Sequence, residues 1–247
     1  MSKLPSSPHE HDNLFAQPIP QLGQFEFDRD VVNVFPDMIN RSVPGYPTIV
    51  NMIGYLAAKY YQPGSHCYDL GCSLGAASLS IWHAQPSANI IGIDTSPAMI
   101  EQCQKLVVAK GAEQSIQLHT QNICDFAYTN ASVVVLNFTL QFIPVEQRDA
   151  LIQRIYNAML PGSLLIVSEK IRFNDDAINQ LNIELHENFK RRNGYTELEI
   201  SQKRQALEKV LIPETMDDHR QRFEKAGFTK FDAWFQCFNF VSMLACK

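Results

Sequence analysis

Residues 67–76, Cys67-Tyr68-Asp69-Leu70-Gly71-Cys72-Ser73-Leu74-Gly75-Ala76, combine the types and spacing best suited to holding a ligand. An apolar stretch ends near an acid, a glycine-containing turn follows, and a helical pattern opens. Glycines let backbone come up against a bound molecule, and the first amides of a helix turn partial positive charge toward it. In open α/β sheets, ligands sit in the crevice beyond the carboxyl ends of the strands. The order here matches the dinucleotide fingerprint G-x-G-x-x-G poorly, since positions 73 and 76 are Ser and Ala, and it lacks the G-K-[ST] of a phosphate loop. A second acid, Asp94, follows by about 20 residues, a spacing from which a carboxylate reaches ribose hydroxyls. The pattern fits an S-adenosylmethionine site at least as well as a nicotinamide site. A tight strand-to-helix turn with a capping acid is the alternative without a ligand.

Repeated βα units position this turn. Strands are expected at 67–70, 89–94, 116–120, 133–138 and 164–169, with helices at 74–83, 97–110 and 145–159. Such alternation implies a mostly parallel sheet covered on both faces. Ser96 with Pro97 is a helix start that fixes Asp94 and Thr95 at a strand end. Asn122 and Ile123 follow the third strand, and Asn137 closes the apolar run of the fourth. The Asn137 amide needs partners, from ligand or from neighbouring loop backbone. Ahead of the first strand, a helix around residues 31–38 stops before Pro44-Gly45, and Tyr46 beyond it is either a lid over a planar ligand or a packing residue of a helix over 47–60.

After residue 169 the pattern changes. Two consecutive helices form an insertion over about 174–211. The first carries an apolar stripe of Ile178, Leu181, Leu185 and Phe189, and its basic end, Lys190-Arg191-Arg192, reads as solvated. The second opens with the capping box Thr196 to Glu199 and has Ile200, Leu207 and Leu211 on a stripe that Arg204 completes. A guanidinium there either reaches for water or faces a carboxylate. A helix over 217–226 and two strands at 229–235 and 237–245 form the end, a hairpin whose last strand runs antiparallel to its neighbours. A hairpin of this kind separates Rossmann-like methyltransferases from dehydrogenases.

The 247 residues, 45% hydrophobic and 19% charged, suffice for a sizeable core. Net charge −5 supplies no general field for nucleic acid, so direct RNA binding is not expected. The six cysteines contain no C-x-x-C pair, which argues against a metal site or a disulfide framework. No run approaches the ~18 apolar residues of a membrane span, and a cytoplasmic protein is expected. Residues 1–14 read as a disordered leader and 15–247 as one ligand-binding domain.

Six stretches go beyond this pattern: V-F-P-D-M-I-N-R-S-V-P-G-Y (34–46), Y-D-L-G-C-S-L-G-A-A (68–77), S-P-A-M-I-E (96–101), V-L-N-F-T-L-Q-F (135–142), N-G-Y-T-E-L-E-I-S-Q-K-R (193–204) and W-F-Q-C-F-N-F (234–240). From about residue 14 to the end, the chain resembles the carboxy-S-adenosyl-L-methionine synthase family, which has the class I methyltransferase fold. The resemblance implies S-adenosyl-L-methionine as substrate and carboxy-S-adenosyl-L-methionine as product, with prephenate consumed and phenylpyruvate and water released. It also implies supply of the carboxymethyl donor for tRNA wobble uridine modification, and hence a functional link to a tRNA carboxymethyltransferase. Carried over by position, Tyr46 covers the nucleoside, Gly71, Cys72 and Ser73 form the turn against the methionine part, and Asp94 with Thr95 holds the ribose. Asn122 and Ile123 flank the adenine, and Asn137 lies near the sulfonium. Arg204 binds the carboxylate and comes from the partner subunit of a homodimer. One departure is Asn122, where the family commonly has Asp. The rival readings are an ordinary methyltransferase acting on a small molecule or tRNA and a non-catalytic carrier of the carboxylated cofactor.

Overall fold

Val133, Val134, Val135 and Leu136 are each 1% exposed or less, so their strand must be covered on both faces. The computed structural model describes residues 10–247. Its elements are α1 (Arg29–Ser42), α2 (Tyr46–Tyr60), β1 (His66–Leu70), α3 (Ala76–Ala84), β2 (Asn89–Asp94), α4 (Pro97–Lys110), β3 (Ile116–Thr120), β4 (Ala131–Asn137), α5 (Val145–Ala158), β5 (Met159–Lys170), α6 (Asp176–Arg192), α7 (Glu197–Leu207), α8 (Met216–Ala226), β6 (Lys230–Cys237) and β7 (Phe240–Cys246). The strands make one sheet in the order β3-β2-β1-β4-β5-β7-β6. β1 to β5 are parallel, and β7 is antiparallel to both β5 and β6. This is the Rossmann-like α/β architecture with a terminal hairpin and a two-helix insertion that the sequence predicts.

Period-two alternation divides the core. Val133, Val135, Leu164 and Ile166 pack with Ile49 and Ile53 of α2, Ile81 of α3 and Cys103 and Val107 of α4. Val134, Leu136, Leu165 and Val167 pack with Leu151, Ile152 and Ile155 of α5 and Phe223 of α8. Cys67 and Cys72, 0% and 5% exposed, are buried small residues. A third cluster joins Val31, Val34 and Met38 of α1 to Leu74 and Met99, with Phe25 and Phe27 against it, and so caps the carboxyl end of the sheet.

Boundaries differ from expectation where backbone geometry intervenes. α3 starts at Ala76 because Gly75 takes φ +79°, and α7 stops at Leu207 rather than near 211. Of the leader expected over 1–14, residues 1–9 lie outside the described residues. Residues 10–14 correct the expectation: Asp12 is 1% exposed, its amide donates to Asp37 Oδ2 at 2.8 Å and its carboxylate accepts from the Tyr195 hydroxyl.

One buried side chain joins two loops at the carboxyl end of the sheet. Arg148, 1% exposed, donates from Nε to the Ile143 carbonyl at 2.9 Å, and from Nη2 to the carbonyls of Gln141 at 3.1 Å and Ile212 at 3.0 Å. Its Nη1 pairs with Glu214, whose other oxygen accepts from Arg222 at 2.6 Å. Arg148→Ala leaves Glu214 with Arg222 alone and removes the guanidinium donors from the carbonyls of Ile143, Gln141 and Ile212, and the expected loss is about 3 kcal/mol of unfolding free energy, read by urea denaturation.

Candidate active site

The turn after β1 places three residues in the left-handed region, Gly71 at φ +75°, Ser73 at +51° and Gly75 at +79°. Glycine relieves strain at two of them. At Gly71 it also makes room for protein, because a Cβ there would lie 2.4 Å from Thr139 Cγ2. Ser73 has no such relief and is held from outside: its amide donates to Asp94 Oδ2 at 2.9 Å and its hydroxyl reaches Met99 Sδ at 3.3 Å. The other Asp94 oxygen accepts from the Ser96 amide at 2.9 Å. Burial raises the Asp94 pKa against these amide donors. Asp69 plays a different part. Its Oδ2 accepts from the Ser78 amide at 2.9 Å and hydroxyl at 2.7 Å, anchoring α3, and burial pushes it up to about 6. The Cys72 thiol is raised well above its ordinary value by its hydrogen bond with Cys103 and by burial, so it is no nucleophile.

Tyr46, Gly71, Cys72, Ser73, Asp94, Thr95, Asn122, Ile123, Asn137 and Arg204 all line one cavity of 1120 Å³. That exceeds the roughly 300–1,000 Å³ of a typical single-ligand site and leaves space beside a nucleoside for a second molecule. Tyr46, at the start of α2, has its ring 6.4 Å from that of Phe138. Phe138 itself is at φ +62°, its backbone turned so that it enters the cavity wall directly after Asn137. Asn122 Oδ1 accepts from the Cys124 amide at 2.9 Å, which fixes the loop and leaves its NH₂ as a donor. Asn137, for which the sequence offers a ligand contact or a bond to loop backbone, has a buried Oδ1 with no hydrogen-bond partner among the described residues. An orphaned acceptor in a cavity wall fits a ligand carrying a donor or a positive charge, as the sulfonium end of S-adenosylmethionine does.

The opposite part of the cavity is cationic, and the sequence reading missed most of it. Lys170 at the end of β5, His186 and Lys190 on α6, and Lys203 and Arg204 on α7 all line it. Lys190 is 9% exposed, which corrects the reading of the basic run as solvated at this one position; Arg191 and Arg192 are exposed as expected. Burial pushes Lys190 down to about 7 and Lys203 down to about 8. Burial also drives His186 down to about 2, so its ring is neutral; Nε2 donates to the Ser42 carbonyl at 2.8 Å.

The amphipathicity of α6 is reversed. Its apolar residues Ile178, Leu181 and Leu185 are 47%, 49% and 38% exposed, while Ile183, His186, Glu187 and Lys190 face the cavity. The available signal was the His186 to Lys190 spacing, which puts two basic groups on one helix face. On α7 the buried face comprises Glu199, Ile200, Gln202, Lys203 and Ala206, so the buried cation is Lys203. Arg204, 64% exposed at its side chain, donates from Nη1 to Glu187 Oε1 at 2.8 Å and lines the cavity of its own chain.

The sheet order, the strained turn and the acid on β2 define a protein of the S-adenosylmethionine-dependent methyltransferase fold class. The family described as Methyltransferase domain matches residues 68–162. Among solved structures, an O-methyltransferase family protein from Burkholderia thailandensis superposes with TM-score 0.64 at 15% identity, over 90% of this chain and 60% of that one. A putative O-methyltransferase from Nostoc punctiforme gives 0.60 at 17%, over 86% and 61%. The chain thus spans about three fifths of each, and the likeness is one of fold. The carboxy-S-adenosyl-L-methionine synthase of Citrifermentans bemidjiense is 56% identical over 240 residues, 96% of this chain and 98% of that protein, and that of Aeromonas salmonicida is 54% identical over 241 residues, 97% and 98%. The chain belongs to the carboxy-S-adenosyl-L-methionine synthase family, transferase-type enzymes for which S-adenosylmethionine is a substrate.

Asn137→Leu separates ligand contact from structure. Removing an unsatisfied buried acceptor leaves unfolding free energy unchanged or raises it by about 1 kcal/mol, while affinity for S-adenosylmethionine falls roughly tenfold. Denaturation and calorimetric titration of the same variant check both signs.

Proposed function

We propose that the protein joins S-adenosyl-L-methionine and prephenate to give carboxy-S-adenosyl-L-methionine, phenylpyruvate and water. The observation that carries this reading is one cavity lined both by the turn after β1 and by Lys170, Lys190, Lys203 and Arg204. A methyl acceptor would not call for so much positive charge; a substrate with two carboxylates does.

Both molecules are substrates, and the chemistry balances without a protein base. Prephenate becomes aromatic by losing its ring carboxyl as carbon dioxide and its ring hydroxyl as hydroxide. The sulfonium acidifies its own methyl group, hydroxide takes one of those protons to form water, and the carbon so freed bonds to carbon dioxide. The chain holds the partners together, keeps carbon dioxide from escaping and neutralises the carboxylates. His186 has its proton on the nitrogen facing Ser42 and a strongly lowered pKa, which suits a wall residue better than a proton shuttle.

Arg204 binds the carboxyl group that is transferred, and it is supplied across a homodimer interface. The exposed stripe Ile178, Leu181 and Leu185, with Leu198 at 38% exposure on α7, supplies apolar area for such an interface, and the Arg204 side chain, 64% exposed, exchanges its bond to Glu187 for one to the ligand of the facing subunit. The product serves as carboxymethyl donor to a tRNA carboxymethyltransferase. Net charge −5 agrees with a small-molecule product, rather than the enzyme itself, meeting the RNA. A cytoplasmic setting is in keeping with six free cysteines; among the described residues no helix is long and apolar enough to cross a membrane.

Purified protein incubated with S-adenosylmethionine and prephenate is expected to yield a nucleoside heavier than S-adenosylmethionine by one carboxyl group, by mass spectrometry, and only when prephenate is present. Demethylated product without response to prephenate would instead identify a methyltransferase. Mixing Arg204→Ala with Asp94→Ala protomers is expected to restore activity that neither variant has alone; no recovery would place Arg204 in the cavity of its own chain.

A further inference from the structure

Lys170 and Lys190 stand apart from the other cations of the cavity. Lys203 Nζ lies 3.5 Å from Asp12 Oδ2 and donates to Ser42 Oγ at 3.2 Å, and Arg204 is engaged by Glu187. The second Glu187 oxygen is shared with Arg191 at 3.4 Å. Glu208, the other acid that the insertion brings to the lining, is exposed. Among the described residues neither Lys170 nor Lys190 has a carboxylate within 4.0 Å of its ammonium or a hydrogen bond from it, although Lys190 is more than nine-tenths buried. Glu187 acts on both from a distance and raises each pKa, but its oxygens are held by Arg204 and Arg191; two buried lysines facing one cavity with no anion paired to either are costly. Proteins keep such an arrangement where a ligand provides the missing charge.

Position narrows what that ligand brings. Lys170 ends β5 two residues after Ser168, which pairs in register with Asn137. Lys190 comes from the inward face of α6, one turn from His186. Burial lowers both ammonium pKa values first, and Lys170 acts on Lys190 across the cavity lining. The lysine pair, which no carboxylate holds, is therefore an anion subsite distinct from Arg204, which Glu187 holds. Prephenate carries its two carboxylate arms on one ring carbon, so the subsites that receive them must also be neighbours.

We propose that Lys170 and Lys190 together bind the carboxylate of the second substrate that remains on the keto acid product, leaving Arg204 for the carboxyl group that is transferred. The assignment rests on the functional reading above and adds which residues recognise the retained half. It divides the work of the wall: the lysines orient the ring so that carbon dioxide leaves toward the sulfonium, and they keep hold of the keto acid while the new bond forms.

The test uses the full-length protein with prephenate as substrate and phenylpyruvate as a binding probe. Lys190→Gln and Lys170→Gln are each expected to raise KM for prephenate and the dissociation constant for phenylpyruvate by about tenfold or more, with S-adenosylmethionine affinity within about twofold of the parent. Lys190→Arg recovers most of the phenylpyruvate binding, and Arg204→Ala abolishes turnover while leaving phenylpyruvate binding unchanged. The proposal is overturned if the Gln variants leave phenylpyruvate binding unchanged, or if S-adenosylmethionine affinity falls in step with it. Lysine-dependent phenylpyruvate binding in a protein that never turns over prephenate would overturn the functional reading alone; turnover with lysine-independent binding would overturn this assignment alone.

Discussion

Backbone strain after β1 is the constraint on which the site depends. Between positions 71 and 75 the chain enters the left-handed region three times, and a segment this contorted persists only where its surroundings over-determine it. The amides of Gly71 and Cys72 donate to the Ile93 carbonyl at 2.8 and 3.0 Å, and that of Ser73 donates to Asp94, so the turn is fastened to the end of β2. Thr139 presses on Gly71 from the loop after β4. That loop is in turn tied to β5, because Glu169 accepts from the amides of Leu140 and Gln141 at 2.9 Å each. The ends of four adjacent strands are thereby held in one arrangement, and the nucleoside-binding surface is their shared edge.

Charge balance governs the other half of the cavity. The parallel sheet supplies no cations of its own until Lys170, and the insertion adds the rest from α6 and α7. Reversing the usual facing of α6 accomplishes two things: it brings His186 and Lys190 inward, and it leaves Ile178, Leu181 and Leu185 outward for another surface. Arg148 and Glu214 stabilise this indirectly by joining the 141–143 and 212–214 segments, which together line the cavity floor beneath the insertion. These additions are what bring cations to a cavity whose remaining wall is built by the common fold.

What the sequence disclosed follows from how local its causes are. β2, α4 and β3 fall where hydrophobic runs, the Ser96-Pro97 cap and the Gly111 stop put them, because those signals lie within a few residues of what they control. The ten residues read from motifs as a ligand site line one cavity, and they converge because all but Tyr46 and Arg204 stand in or beside loops following parallel strands. The cationic wall was hidden for the opposite reason. Apolar stripes are read as core-facing, and on α6 the stripe faces outward, so Lys190 looked like a helix end in water. Lys203 was overlooked beside Arg204 because one residue along a helix turns a side chain by about 100°, and only tertiary packing decides which of the two is buried. In the sequence Asp12 reads as part of a disordered leader, since its partners Asp37, Arg41 and Tyr195 lie 25 to 183 positions away.

The central claim is that carboxyl transfer occurs between two molecules held in one cavity. Prephenate carrying a heavy-carbon label in its ring carboxyl, incubated with the protein and S-adenosylmethionine in the presence of excess unlabelled bicarbonate, tests it most directly. The account predicts that the label passes undiluted into the new carboxyl group of the nucleoside, because carbon dioxide is captured before it can exchange with solvent. Product carrying unlabelled carbon from the bicarbonate would contradict it.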